Sequence, residues 1–320
     1  MGFVRTILIA VLASWIAAPA QAQTFPNKPV RILVGFAAGS GPDVLARTVA
    51  TQLGIDLGQN FFIENRPGAN GTIAARAVVQ ADPDGYTLLY SSSSIAPVPH
   101  VYKNLSFDLL RDLAPIATVG ILDGYLLLVN PSLPVRTVPE FIAYAKANRV
   151  LYGSPGVGNA LHLATAQFNI KAGLNMEHVP YRGASEVSTA LLGGSIQFMI
   201  VSPPSVLALV KDGKLRAIGF TGSKPFPEFP NVPLTRDILP EFSVPNSWGM
   251  FYAPAKTPPE IVDKLNTAVR QALRAKVVAG VLQRSGYVPD ERSPADTAAL
   301  FRKDVIAAGE AVKAARIQPQ

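Results

Sequence analysis

Short apolar runs rich in Val, Ile, Leu, Phe and Tyr alternate along this chain with longer stretches whose apolar residues recur at helical spacing. The runs are Val30–Phe36, Phe61–Glu64, Thr87–Ser91, Ile116–Val119, Tyr125–Asn130, Val150–Tyr152, Glu177–Tyr181, Gln197–Val201, Leu215–Thr221 and Gly249–Ala253. Between them lie Asp43–Leu53, Asn70–Ala81, Val138–Asn148, Ala160–Ala172, Ser185–Leu192 and Pro259–Ala275. Strand and helix in this rhythm predict an α/β fold of mostly parallel sheets flanked by helices. Such folds bind ligands where a strand's carboxyl end leads into a loop and a helix.

The order runs twice. "VRILVGF", a glycine-containing turn and a helix open the first half, and "VLYGSPGVGNALHLATAQF" repeats that arrangement in the second. Leu122–Asn130 enters the second unit, and "PEFSVPNSWGMFYAPAKTPPEIV" leaves it. The last helices, Pro259–Lys276 and Pro294–Ala315, need a sheet to cover, and the first unit supplies it. Two lobes joined by two crossovers would leave a cleft between them, a topology that rests partly on a family resemblance.

Composition narrows the function. The chain has 320 residues, no cysteine and a formal charge of +7, which excludes disulfides, thiolate metal sites and a cysteine nucleophile. Its Lys and Arg are scattered, with no basic run interleaved with aromatics, so no nucleic-acid partner is expected. Residues 1–22 combine Arg5, the apolar segment Thr6–Ala18 and Ala20-Gln21-Ala22, the pattern of a cleaved export signal. A soluble protein in the periplasm, beginning near Gln23, is the expectation.

The two turns carry the candidate chemistry. In "GFAAGSGPD", Gly35–Asp43, small residues let an anion approach backbone N–H groups at the positive end of a helix. Pro42 suits a first helical turn, and Asp43 reads as a helix cap. In "GSPGVGNALH", Gly153–His162, Ser154, Gly156, Gly158 and Asn159 offer a hydroxyl, backbone amides and a side-chain amide. Val44 and Leu161 occupy the third glycine position of a dinucleotide fingerprint, which disfavours a nucleotide. Two donor clusters facing one another suit a small anion with one or two anionic ends.

Catalytic patterns are scarce. There is no G-x-S-x-G and no H-E-x-x-H. His100, His162 and His178 sit in unrelated sequence contexts without metal-ligand spacing. His162 reads as a packing or structural histidine. The rival reading is an exported hydrolase or lyase pairing His162 with Ser154.

"FPNKPVRILVGFAAGSGPDVLAR", "FFIENRPGANGTIAARAV", "ADPDGYTLLYSS", "LYGSPGVGNALHLA", "HVPYRGASEVSTALLGGSIQFMI", "VKDGKLRAIGFTGSKPFPEFPNVPL" and "WGMFYAPAKTPPEIVDKLN" follow in collinear order. The chain thereby resembles the Bug-type extracytoplasmic solute receptors, the binding components of tripartite tricarboxylate transporters. The resemblance implies a type II Venus-flytrap fold with lobe 1 at 23–123 and 246–320 and lobe 2 at 124–245. It implies a monomer without cofactor or metal, holding a small carboxylate by the backbone amides of two loops and passing it to membrane permease subunits. A sensor handing its bound state to a signalling partner shares the same features.

Carried over position by position, the first loop supplies Phe36, Ala37, Ala38, Gly39, Ser40, Gly41 and Asp43. The second supplies Ser154, Gly156, Val157, Gly158, Asn159 and His162. Ser91, Tyr181, Arg182 and Ser202 fall in other cleft-lining segments, whereas Asn65–Thr72 reads as structural. The chain departs from the family's pattern at Gly35, where proline is usual, and at Ala37-Ala38-Gly39-Ser40, usually Pro-Ala-Gly-Gly. Asn159 replaces a common serine, and Gln197 and Val201 stand where acids are frequent. Without those acids a plain or aromatic carboxylate is a better fit than an amino acid.

Overall fold

The structure, a computed structural model, describes residues 25–319. The export signal and its cleavage point lie outside those residues. Among the described residues no helix is long and apolar enough to cross a membrane.

The first unit opens with β1 (Val30–Val34), α1 (Gly41–Leu57), β2 (Phe61–Asn65), α2 (Thr72–Val79) and β3 (Thr87–Ser92). The short helices α3 (Val98–Val101) and α4 (Leu109–Asp112) then lead to β4 (Leu113–Leu122). After a first crossover come β5 (Leu126–Val129), α5 (Val138–Ala147), β6 (Leu151–Ser154), α6 (Ala160–Lys171), β7 (Glu177–Pro180) and α7 (Ala184–Leu192). That unit ends with β8 (Phe198–Val201), α8 (Leu207–Lys211), β9 (Arg216–Phe220) and α9 (Thr235–Ile238). The chain returns through β10 (Ser247–Pro254), α10 (Pro259–Leu273), α11 (Lys276–Arg284), β11 (Tyr287–Pro289) and α12 (Pro294–Ala314).

Two sheets result, ordered β11-β4-β10-β3-β1-β2 and β7-β6-β8-β5-β9. Strands β1, β2 and β3 are parallel, as are β6, β7 and β8. The strands that follow each crossover, β5 and β10, run antiparallel to their neighbours. They enter their sheets from the opposite end, so both sheets are mixed instead of mostly parallel. The apolar run of β1 is explained by double-sided burial: Val30, Ile32, Leu33 and Val34 are all inaccessible. On α10 the buried residues Val262, Leu265, Ala268, Val269 and Ala272 form one stripe against β4 and α1. Helix α12 also packs on β4, so the final helices do cover the first sheet. Strand β11, whose short run is interrupted by proline, escaped the hydrophobic pattern.

The consequence for function is positional. Loops leaving the carboxyl ends of β1, β2 and β3 face loops leaving β6, β7 and β8. Tyr125, just before β5, and Ser247, at the start of β10, lie between them.

Candidate functional site

A cavity of about 100 Å³ lies between the two sets of loops. The first loop contributes Phe36, Ala37, Ser40 and Pro42; the second contributes Pro155, Asn159 and Leu161. Arg182 to Ser185 line it from the start of α7, and Ser202 and Ser205 from the end of β8. Its floor is built by Ser92, Ser94, Tyr125, Ser247 and Tyr287. Arg182 is the one charged residue in the lining, and it has no carboxylate partner among the described residues.

The starts of α1 and α6 are built alike. Ser40 and Asn159 are the N-cap residues, and each is preceded by a glycine with positive φ, Gly39 at 78° and Gly158 at 71°. Each of those glycines donates its N–H to the side chain four residues on. Gly39 N–H bonds Asp43 Oδ2 at 2.8 Å, and Gly158 N–H bonds His162 Nδ1 at 2.9 Å. The side chain at the third helical position thus reaches back and fixes the loop, a variant of the reciprocal bonding in a capping box. These two amides are occupied by the protein itself. At the start of α6 the Leu161 N–H is capped by Asn159 Oδ1 at 3.0 Å, and Pro42 in α1 has no N–H. The first-turn N–H groups left to meet a ligand are therefore those of Gly41 and Asp43 in α1 and of Ala160 and His162 in α6.

Asp43 also accepts from Arg47 Nε at 2.9 Å and from Asn65 Nδ2 at 2.7 Å, and Asn65 Nδ2 in turn donates to Phe36 O at 3.0 Å. Burial works against its carboxylate, but the hydrogen bonds from Arg47, Asn65 and Gly39 outweigh it and hold the group below the usual carboxylate range. Asp43 therefore braces the loop from behind instead of capping the helix.

His162 stacks on His178, with ring centroids 3.7 Å apart, and Tyr152 extends the stack. Burial, reinforced by the neighbouring His178, pushes the His162 imidazole down to about 3; burial alone pushes His178 down to about 4. Both rings are neutral near pH 7. The histidines that looked unrelated in sequence are in contact because β7 lies beside β6, which leads into the second loop. The fully buried hydroxyl of Ser154 lies 2.7 Å from His178 Nε2 and bonds Gly156 O at 3.0 Å. It is not paired with His162, whose Nδ1 already serves Gly158. The pairing on which a hydrolase reading depended does not form.

Of the residues singled out from sequence, Phe36, Ala37, Ser40, Asn159, Arg182 and Ser202 line the cavity. Asp43, Gly158, His162 and Ser154 are buried behind them as supports, and Gly39, which bonds Asp43, is exposed. Ala38 is exposed at the loop tip. Gly41 packs on the facing lobe, where a Cβ would sit 3.3 Å from Pro204 Cβ. Gly156 and Val157 face Asn70, whose Nδ2 donates to Val157 O at 3.0 Å. Tyr181 donates its N–H to Ser154 O at 2.9 Å, and Ser91 is buried beside Gly71. Gln197 bonds Leu151 N–H and Gly194 O, and neither it nor Val201 lines the cavity. The argument against an ammonium-bearing solute therefore rests on the acid-free lining, not on those two positions.

The segment read as structural enters the site. Pro67, Gly68, Asn70 and Gly71 line the cavity, and a Cβ on Gly35 would lie 2.8 Å from Gly71 Cα. That close approach accounts for glycine at position 35. The signal available in sequence was "RPGANG", whose glycines and asparagine favour a left-handed turn. The serine run at 91–94 was a second, unused signal for the floor.

Two lobes, facing strand-end loops and a cavity between them that presents serines, asparagines and an arginine are the arrangement of a solute-binding protein. The model of the tripartite tricarboxylate transporter family receptor matches residues 45–316, and the chain belongs to that family. Protein BugT of Bordetella pertussis is 34% identical to it over 93% of this chain and 92% of that protein. The structure "R. palustris Rpa4515 with adipate" superposes with a TM-score of 0.87 at 31% identity, covering 92% of this chain and 100% of that one. MatC from Rhodopseudomonas palustris with bound malate gives 0.83 at 29% identity, covering 90% and 100% respectively. The chain is a solute receptor of the Bug type and not an enzyme.

Proposed function

We propose that this receptor captures a small dicarboxylate by lobe closure and delivers it to the membrane subunits of a tripartite tricarboxylate transporter. The observation that carries the reading is the cavity lining, which contains an unpaired arginine, serine hydroxyls, the starts of α1, α6 and α7, and no acid. Each helix start favours a negative group. Donors on both walls suit a solute with an anionic group at each end. The cavity of about 100 Å³ falls below the ~300–1,000 Å³ of pockets for drug-sized ligands, so a short chain fits and a nucleotide does not. Adipate and malate, bound by the two solved relatives, are both short dicarboxylates.

Charge-assisted hydrogen bonds contribute about 1.5–3 kcal/mol each before ordering costs, and a micromolar Kd corresponds to about −8 kcal/mol. Several such bonds reach that range. The donors come from both sides, so they act together only when the lobes are closed, and that difference drives closure. The lobe division at residues 123/124 and 245/246 and a monomeric state belong to the same proposal.

Titration calorimetry against adipate, malate, benzoate and glutamate tests it. A dicarboxylate should bind most tightly, and Arg182→Ala should weaken it about tenfold, as expected for one lost charge-assisted bond. Glutamate binding as tightly as adipate would refute the exclusion of an ammonium-bearing solute. Benzoate binding most tightly, or no dicarboxylate binding at all, would refute the proposal.

A further inference from the structure

Beside apolar contacts such as Val101 and Val312 with Leu163, the polar side chain of Asn70 reaches from one lobe to the other across the cleft. Asn70 lies on the lobe that carries α1, is 9% exposed, and sends its amide to the second loop of the opposite lobe. Its Nδ2 donates to Val157 O at 3.0 Å, and its Oδ1 lies 3.4 Å from Asn159 Nδ2. Both partners belong to the loop that would grip the solute, and Asn159 is the N-cap of α6.

The backbone beneath Asn70 is held in an unusual form. Gly68, Ala69, Asn70 and Gly71 all have positive φ, at 120, 46, 54 and 86°. Glycine tolerates that region and asparagine visits it, but alanine does so at a cost. Runs of this kind persist where surrounding contacts hold them, and they concentrate at clamps and switches. Here the run packs on Gly35, immediately before the first loop, and aims Asn70 across the gap.

We propose that Asn70 is a positioning residue that latches the two lobes in the unliganded protein and so sets the receptor's affinity. It raises the fraction of molecules already in the binding-competent closed form, and apparent affinity scales with that fraction. By touching Val157 O and Asn159, it also fixes the second loop before the solute arrives. The inference rests on the cleft being the solute site, but it is measured without solute.

The cysteine-free chain allows spin labels at Thr51→Cys on α1 and Thr189→Cys on α7, both exposed. Pulsed dipolar distances are then compared in the unliganded protein with Asn70, Asn70→Gly and Asn70→Asp. The short-distance population should dominate with Asn70. The ratio of short to long should fall about tenfold in both variants, the effect of losing one or two net hydrogen bonds. Glycine accepts the local φ, so the melting temperature of Asn70→Gly should stay level or rise. Asn70→Asp keeps the shape but presents a carboxylate to Val157 O, and it serves alone if the glycine variant fails to fold. A distribution dominated by the long distance with Asn70 present, or unchanged by substitution, overturns the latch. So does a shift accompanied by a large fall in melting temperature, which would make Asn70 a structural residue. Failure of the carboxylate panel leaves this result untouched.

Discussion

The two loops solve one geometric problem with opposite chemistry. Each must hold a left-handed glycine one residue before the N-cap, and each does so with a side chain four residues later. The first loop uses an ionised carboxylate, Asp43, neutralised by the half-exposed Arg47. The second uses a neutral imidazole, His162, buried against His178. The difference follows from the surroundings. Beside α1, Arg47 and Asn65 supply donors that make a buried carboxylate affordable. Beneath α6 the ring stack offers no counter-charge, so the acceptor must be neutral. The lesson is that loop shape, not residue type, is what the two halves share.

The largest effect expected from breaking this comparison is that of Asp43→Ala. It removes the shared acceptor of the Gly39 amide, the Asn65 amide and half-exposed Arg47. Hydrogen bonds to a charged group contribute about 1.5–3 kcal/mol each, so a loss of about 3 kcal/mol is expected. Urea denaturation should show that loss, together with weakened solute binding. His162→Gln keeps an acceptor within reach of Gly158 but removes the ring stack. A smaller loss of about 1–2 kcal/mol is expected for a buried substitution of this kind, read by the same denaturation. A loss equal to that of Asp43→Ala would mean that the stack, not the reach-back bond, holds the second loop.

The pH dependence separates the loops more gently. The imidazoles of His162 and His178 titrate in the folded protein below their ordinary 6.5, at about 3 and about 4. Between 6.5 and those values the unfolded chain binds more protons than the folded one, so stability is full above about pH 6.5 and falls as pH drops. Asp43 is depressed below 3.8, so its contribution is present above that value and is lost only as pH falls through the folded pKa. Melting temperatures from pH 7 to 4.5 should therefore decline in the parent protein and in Asp43→Asn, but less steeply in His162→Gln. Equal slopes in all three would place the acid sensitivity elsewhere.

Much of this architecture was legible along the chain. The apolar runs anticipated β1 to β10; most of these strands, β2 and β7 apart, are buried on both faces and leave an uninterrupted mark. The two glycine turns announced the helix starts, since Gly39, Ser40 and Pro42, like Gly158 and Asn159, are residues that helix entry selects. What was not legible was the direction of bonding. Asp43 has the residue type of a cap, yet it reaches back to Gly39, and only the positions of Arg47 and Asn65 explain why. His162 and His178 carry no recognisable spacing, and their contact depends on β7 lying next to β6. Asn70 was hidden because its partners are 87 and 89 residues away.

Apart from β11 and the short helices, which it did not give, sequence alone determined the longer elements, the doubled order and the small residues at the mouths of α1 and α6. These depend on local periodicity and on the conformations each residue allows. Tertiary structure decided which amides stay open to a solute, which histidine meets which serine, and which side chain spans the cleft. Those outcomes depend on two crossovers bringing distant loops face to face, and no local pattern encodes a contact between segments that meet only after the chain has crossed.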